Sequence, residues 1–238
     1  MSVPSKAHPV SKNRILAALP REEYERLRPH LESVHLEKGK IVCQAGDRVR
    51  HAYFPESGML SLLSMTGRGE IVEVAMVGNE GLVGVSLIMK VGISPYQSSV
   101  QMSAEAQRIR PEPLLEEFRR VGKLHDLILK YTHGVLAQIT QSALCNRFHT
   151  VDERLCRWLL TASDRTRSNT LELTQECISE MLGIRRTGVT KAACALQDAG
   201  LIRYRRAKIT IADRQKLEQA ACECYSIVRK EVDQLLAA

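Results

Sequence analysis

Between Thr174 and Gly200 the chain holds two helical segments separated by a single glycine, a spacing that few folds accommodate. Thr174 is a good N-cap for Gln175 to Leu182, Gly183 marks the turn, and Ile184 to Asp198 reads as a second helix stopped by Gly200. In a two-helix unit joined by a tight turn, apolar positions on both sides must clamp the helices at a fixed angle. Ile178, Leu182, Ile184, Val189 and Ala192 meet that need, and Ser179 is small where the helices should come closest. Glycine inside a helix costs about 1 kcal/mol relative to alanine, so Gly188 suggests a close helix contact.

The outward face of the second helix carries Arg185, Arg186, Thr187, Thr190 and Lys191, with no carboxylate among them. Guanidiniums and hydroxyls without acids form a surface suited to base edges in a DNA groove. Leu201-Ile202 and Ile209-Thr210-Ile211 then read as two short strands around a basic turn, a wing able to lie along a phosphate backbone. Residues 185–208 hold seven Lys or Arg and one acid, a local charge of +6, against +7 for all 238 residues. The positive charge is therefore focused on this segment, and a polyanionic partner follows. Thr174, Arg203, Arg205, Arg206 and Lys208 are assigned to backbone and wing contacts, beside the base-reading set above.

A second constraint comes from residues 131–146, which contain no Asp, Glu, Lys or Arg. Leu124, Ile128, Tyr131, Val135 and Ile139 mark a long helix over about 122–146, and Leu129, Leu136 and Ala143 widen its apolar surface onto a second face. A helix of about 25 residues, roughly 37 Å long, must then be covered on two sides. The chain's own β domain is one cover, and the same helix of a second copy is the other, which predicts a homodimer. Asn146 to Thr150 would be the hinge, and Val151, Leu155, Trp158, Leu159 and Ala162 mark the helix that opens the second domain.

Upstream, glycines recur between short apolar runs from Val34 to Ile109, the texture of an antiparallel sandwich or barrel. Gly81 to Ala104 carries one charge, Lys90, as a loop packed against a core or pocket would. Residues 1–13 read as a frayed leader without the apolar core of a secretion signal. No apolar run is long enough to span a membrane, so the protein is expected in the cytosol without a membrane partner. Seven cysteines, an odd number, argue against a disulfide framework. Cys222 and Cys224 lie close together but lack the second Cys or His pair that structural zinc requires, so no metal site is expected. No nucleophile elbow, phosphate loop or HExxH motif points to an enzyme.

These parts together resemble the CRP/FNR superfamily of bacterial transcription regulators across essentially the whole chain. The resemblance is carried by LTQECISEMLGIRRTGVTKAACALQDAGLI at 173–202, with support from VDERLCRWLL at 151–160 and LEKGKIVCQAGD at 36–47. It implies an α+β protein: an N-terminal antiparallel β-roll or jelly-roll sensory domain with a dimerisation helix, residues 1–146, and a C-terminal winged helix-turn-helix domain, residues 147–238. It also implies a recognition helix in the major groove, with Arg186 and Lys191 at the family's basic contact positions, and RNA polymerase as a further partner. Many members place a glutamate between those two contacts where this chain has Thr187, so the operator need not follow the best-known member. By the same resemblance an effector pocket would involve Gly84, Val85, Ser86, Gln97, Ser98 and Ser99. Cyclic-nucleotide binders follow the glycine with a glutamate and supply an arginine to the phosphate, yet Val85 follows Gly84 and no arginine occurs between Val85 and Gln107. A buried phosphodiester without a cation is strongly disfavoured, which argues against cyclic AMP in the usual mode. No effector is assigned. A winged helix used for protein contacts, or an effector-binding regulator without direct DNA readout, stays open as an alternative.

Overall fold

The computed structural model describes residues 11–236; the first ten residues of the expected leader lie outside the described residues. α1 (Arg14–Ala17) starts at buried Asn13, whose side chain accepts from the Ile15 and Leu16 N–H groups and donates to the carbonyls of Pro55 and Gly81. α2 (Arg21–Leu27) runs into a 3-10 turn at Arg28–His30. Strands β1 (Glu32–Leu36), β2 (Ile41–Cys43), β3 (Ala52–Pro55), β4 (Met59–Met65) and β5 (Ile71–Val77) follow, then the short helix α3 (Val85–Ile88), β6 (Gln97–Met102) and β7 (Ala104–Ile109). They form two antiparallel sheets, in the orders β1-β7-β3 and β2-β6-β4-β5. This is the antiparallel β domain that the glycine spacing predicts.

α4 (Pro111–Arg119) leads to α5 (Lys123–Phe148), the long helix. Gly122 gives α5 no side-chain cap, and Glu23 of α2 supplies one by accepting from the Lys123 and Leu124 N–H groups at 2.9 and 2.8 Å. α5 runs through Asn146 to Phe148, so its break from α6 (Val151–Thr166) is confined to His149–Thr150 and is shorter than the expected hinge. Thr150 and Glu153 form a capping box at the start of α6.

β8 (Thr170–Glu172), α7 (Gln175–Leu182), α8 (Arg186–Asp198), β9 (Ile202–Arg205) and β10 (Lys208–Ile211) make the C-terminal unit, followed by α9 (Arg214–Ala220) and α10 (Cys224–Leu236). The wing has three strands, β8-β10-β9. Asp213 caps α9 by accepting from the Lys216 N–H. The chain then breaks at 221–223 before α10 begins at Cys224.

Strand alternation explains how the two halves meet. Successive side chains of a strand point to opposite faces, and Met59 to Leu63 of β4 are all buried. Leu60 and Leu62, with Ala75 and Val77 of β5, join the core of the β domain. Met59, Leu63 and Met76 join Trp158, Leu159, Ile178 and Leu182 in a second core shared with the C-terminal unit. Polar links reinforce this seam: Trp158 donates its indole N–H to Glu73 at 2.8 Å, Arg165 pairs with Glu80 at 3.1 Å, and Lys38 donates to the Glu172 carbonyl.

Candidate nucleic-acid interface

Each helix of the 174–200 unit is fixed by a local device. The Thr174 hydroxyl accepts from the Cys177 N–H at 3.1 Å, capping α7. Gly183 ends α7 at φ 61°, the left-handed conformation that favours glycine. A Cβ there would stand 3.1 Å from Val72 Cγ2, so the turn rests directly on β5. Arg154 of α6 donates to the Leu182 carbonyl at the negative end of α7. Ile178, Leu182, Val189 and Ala192 are buried, as the clamp requires, together with Ser179.

Gly188 is different. A Cβ at this position would meet only Ile184 Cδ1, at 3.7 Å, which is ordinary van der Waals contact. No close helix approach requires a glycine there. Gly188→Ala is therefore expected to raise the stability of the free protein by up to about 1 kcal/mol, read as a higher urea midpoint, and a loss of stability would contradict it.

α8 begins at Arg185, which is extended and offers no side-chain cap, and its first turn contains no acid. The start of α8 is thus uncapped at the positive end of the helix dipole, beside exposed Arg185 and Arg186. Thr187 and Lys191 are also exposed. Thr190 is half-buried and already engaged, since its hydroxyl lies 2.8 Å from Gln175 Oε1 and 3.1 Å from the Arg186 carbonyl. It ties α8 to α7 through Gln175. Sequence alone does not single out Gln175; its place at the first position of α7, opposite a threonine of α8, is the signal it carries.

On the wing, Arg203, Arg205, Arg206 and Lys208 are exposed. The two-residue turn places Arg206 and Ala207 at φ 50° and 60°, a left-handed pair usually filled by Asn-Gly. The strained turn thus keeps an arginine at its tip. Lys208 lies 3.3 Å from Glu172 on neighbouring β8. Arg185, Arg186, Lys191, Arg203, Arg205 and Arg206 have no carboxylate partner among the described residues.

The other sequence-derived residues fall elsewhere. Leu124, Ile128, Tyr131 and Val135 are buried in the chain's own first core, with Ile139 packed against it. These five therefore belong to the inward face of α5. The face left open carries Leu129, 49% exposed, and Leu136, 55% exposed, with Leu144 and Phe148 beyond them. Gly84 begins α3 at φ 113°, and Val85 and Ser86 are buried within it. Ser98 and Ser99 are buried on β6, where they pair with Leu62 and Ser61 of β4, while Gln97 at the strand's start is half-buried. The Ser98 hydroxyl has no hydrogen-bond partner among the described residues.

Two family profiles match the chain: the cyclic nucleotide-binding domain over residues 33–120 and the Crp-like helix-turn-helix domain over 153–220. No curated protein matches it in sequence. Solved structures share the fold. FixK2 from Bradyrhizobium japonicum aligns with a TM-score of 0.68 at 16% identity, covering 81% of this chain and 98% of its own. A putative regulator of the Crp/Fnr family from Eubacterium rectale aligns at 0.67 and 18% identity, covering 85% and 94%. The c-di-GMP-responsive global regulator CLP from Xanthomonas campestris aligns at 0.64 and 18% identity, covering 82% and 100%. Among the described residues no helix is long and apolar enough to cross a membrane. With a cyclic nucleotide-binding-type domain followed by a Crp-like helix-turn-helix on one chain, the protein belongs to the CRP/FNR superfamily of DNA-binding transcription regulators, not to an enzyme family.

Proposed function

We propose that the protein acts as a homodimer on a pseudo-palindromic operator, reading base edges with Arg185, Arg186, Thr187 and Lys191 and holding phosphates with Thr174, Arg203, Arg205, Arg206 and Lys208. Thr190 supports the reading helix through Gln175. The observation that carries this reading is the row of exposed cations without acidic partners, flanking the uncapped start of α8. Thr174 accepts through its hydroxyl oxygen within the cap, which leaves its O–H free to donate to a phosphate. RNA polymerase is the further partner expected of such a regulator.

Dimerisation is supported by the open face of α5. Leu129, Leu136 and Ala143 are seven residues apart, the repeat of a helix seam, and Leu144 extends it. Pairing two such helices would set two copies of α8 about 34 Å apart, one turn of duplex DNA. Residues 1–146 would then form the sensory unit and 147–238 the DNA-binding unit. A ligand of the β domain would act by shifting the population with that spacing. Burial of Val85, Ser86, Ser98 and Ser99 without a cation argues for an effector other than cyclic AMP in the usual mode.

Selection of duplexes from a random pool by the purified protein is expected to return an inverted repeat with half-sites one helical turn apart. A single asymmetric site, or no enrichment, would refute the reading. Leu129→Glu with Leu136→Glu should yield a monomer by sedimentation and weaken operator binding at least tenfold, and an intact dimer would place the seam elsewhere.

A further inference from the structure

The sequence offered Cys222 and Cys224 without a second pair of ligands. The fold supplies one. Cys145 and His149 stand four residues apart at the end of α5, a spacing that puts both on one helical face. α10 packs back along α5, and its first residue Cys224 and the preceding loop's Cys222 reach the same point. Cys145 Sγ lies 3.5 Å from Cys222 Sγ, and Cys224 Sγ lies 3.6 Å from His149 Nδ1. All four candidate ligand atoms fall within 4.8 Å of one another. The three thiols are buried and form a small cluster of their own.

Zinc bonds of about 2.3 Å to sulfur and about 2.0–2.1 Å to nitrogen give a tetrahedron with edges of roughly 3.4–3.8 Å. The two short separations already match such edges. A disulfide would need the sulfurs to close to about 2.05 Å, and would leave one thiol and the imidazole unused. An iron–sulfur cluster interposes several metal and sulfide atoms between its cysteines and needs a wider cage.

The surroundings suit the same ion. With Nδ1 facing the cluster, His149 Nε2 lies 3.2 Å from Glu223 Oε1. A carboxylate on the outer nitrogen fixes the ring and raises the basicity of the inner one, as in many zinc sites. Three thiolates and one divalent ion leave a single negative charge.

We propose that Cys145, His149, Cys222 and Cys224 bind one structural zinc ion that ties the end of the long helix to the start of the last one. Binding displaces the thiol protons to solvent, and four protein ligands leave no position open for chemistry. The ion would lock the segment where α5 turns into α6, so the end of α5 and the C-terminal helix move as one piece.

Elemental analysis of the full-length protein, purified in reductant, is expected to find one zinc per chain. Exchange for cobalt should give the intense visible bands of a tetrahedral thiolate site, and a strong chelator should lower the thermal midpoint. Cys222→Ser with Cys224→Ser should remove the zinc, whereas Cys194→Ser, an exposed cysteine elsewhere, should retain it. If the double variant does not fold, the stoichiometry and cobalt spectrum of the unaltered chain decide alone. Protein that binds no zinc after incubation with it, gives octahedral cobalt spectra, or carries a Cys145–Cys222 disulfide in place of metal overturns the proposal.

Discussion

Arg186→Ala is expected to abolish most discrimination between operator and random duplex while leaving the fold and the proposed dimer intact. Arg186 is exposed at the first position of α8, with no acidic partner to satisfy it, so its removal leaves nothing unpaired in the free protein. A bidentate arginine–guanine pair contributes about 1–3 kcal/mol of discrimination, and a symmetric complex contains it twice. The expected loss is therefore about 2–6 kcal/mol, or roughly 30-fold to 10⁴-fold in the ratio of specific to non-specific affinity. Fluorescence anisotropy with the selected operator and a scrambled duplex at matched salt measures that ratio. Removing Arg205 and Arg206 from the wing should instead weaken both duplexes alike and flatten the dependence on salt, as lost phosphate contacts do. An unchanged ratio for Arg186→Ala would assign that arginine to the backbone.

Glu73→Gln is expected to stabilise the protein at pH 8 and to have little effect near pH 5. Glu73 is buried on β5, where it accepts from Ser61 and from the Trp158 indole, and burial pushes its carboxyl up to about 7 against an ordinary 4.5; the two hydrogen bonds and Arg157 oppose this incompletely. A raised acid binds more protons folded than unfolded between those values. Its contribution is complete below about pH 4.5 and is lost as pH rises through 7. That difference corresponds to about 3 kcal/mol. Glutamine has an oxygen for Trp158 and an N–H for Ser61, and carries no charge. Urea midpoints of the two proteins at pH 5 and pH 8 give the comparison, and equal differences at both would show that Glu73 titrates normally. Because Glu73 is buried at the seam between β5 and α6, placing a charge on it at alkaline pH should also loosen the C-terminal unit from the sheet.

The helix-turn-helix was legible because each boundary has its own chemical marker: a threonine cap, a left-handed glycine, and apolar residues at clamp spacing. Gly188 misled because propensity alone does not reveal what surrounds a helix position, and here the space is open. β8 went unread because Thr170–Glu172 is too short to show alternation. On α5 the periodicity found the helix and its two apolar faces, but only burial shows that Leu124, Ile128, Tyr131 and Val135 face inward and Leu129 and Leu136 outward. His149 and Cys145 carry the four-residue spacing of a ligand pair, yet their companions lie more than seventy residues downstream, beyond any local pattern. Sequence assigns no effector for a plainer reason: serines and backbone amides in a β domain have no distinctive spacing.

The outer face of β4 and β5 is dressed by Trp158, Leu159, Ile178 and Leu182. A fragment begun at Val151 would expose that greasy footprint to water, and the amputated sheet would be left with its mirror image. Bare patches of this sort invite self-association, so truncation would report on clumping before it reported on regulation. Signal and readout in this molecule are better dissected by point substitution than by cutting it in two.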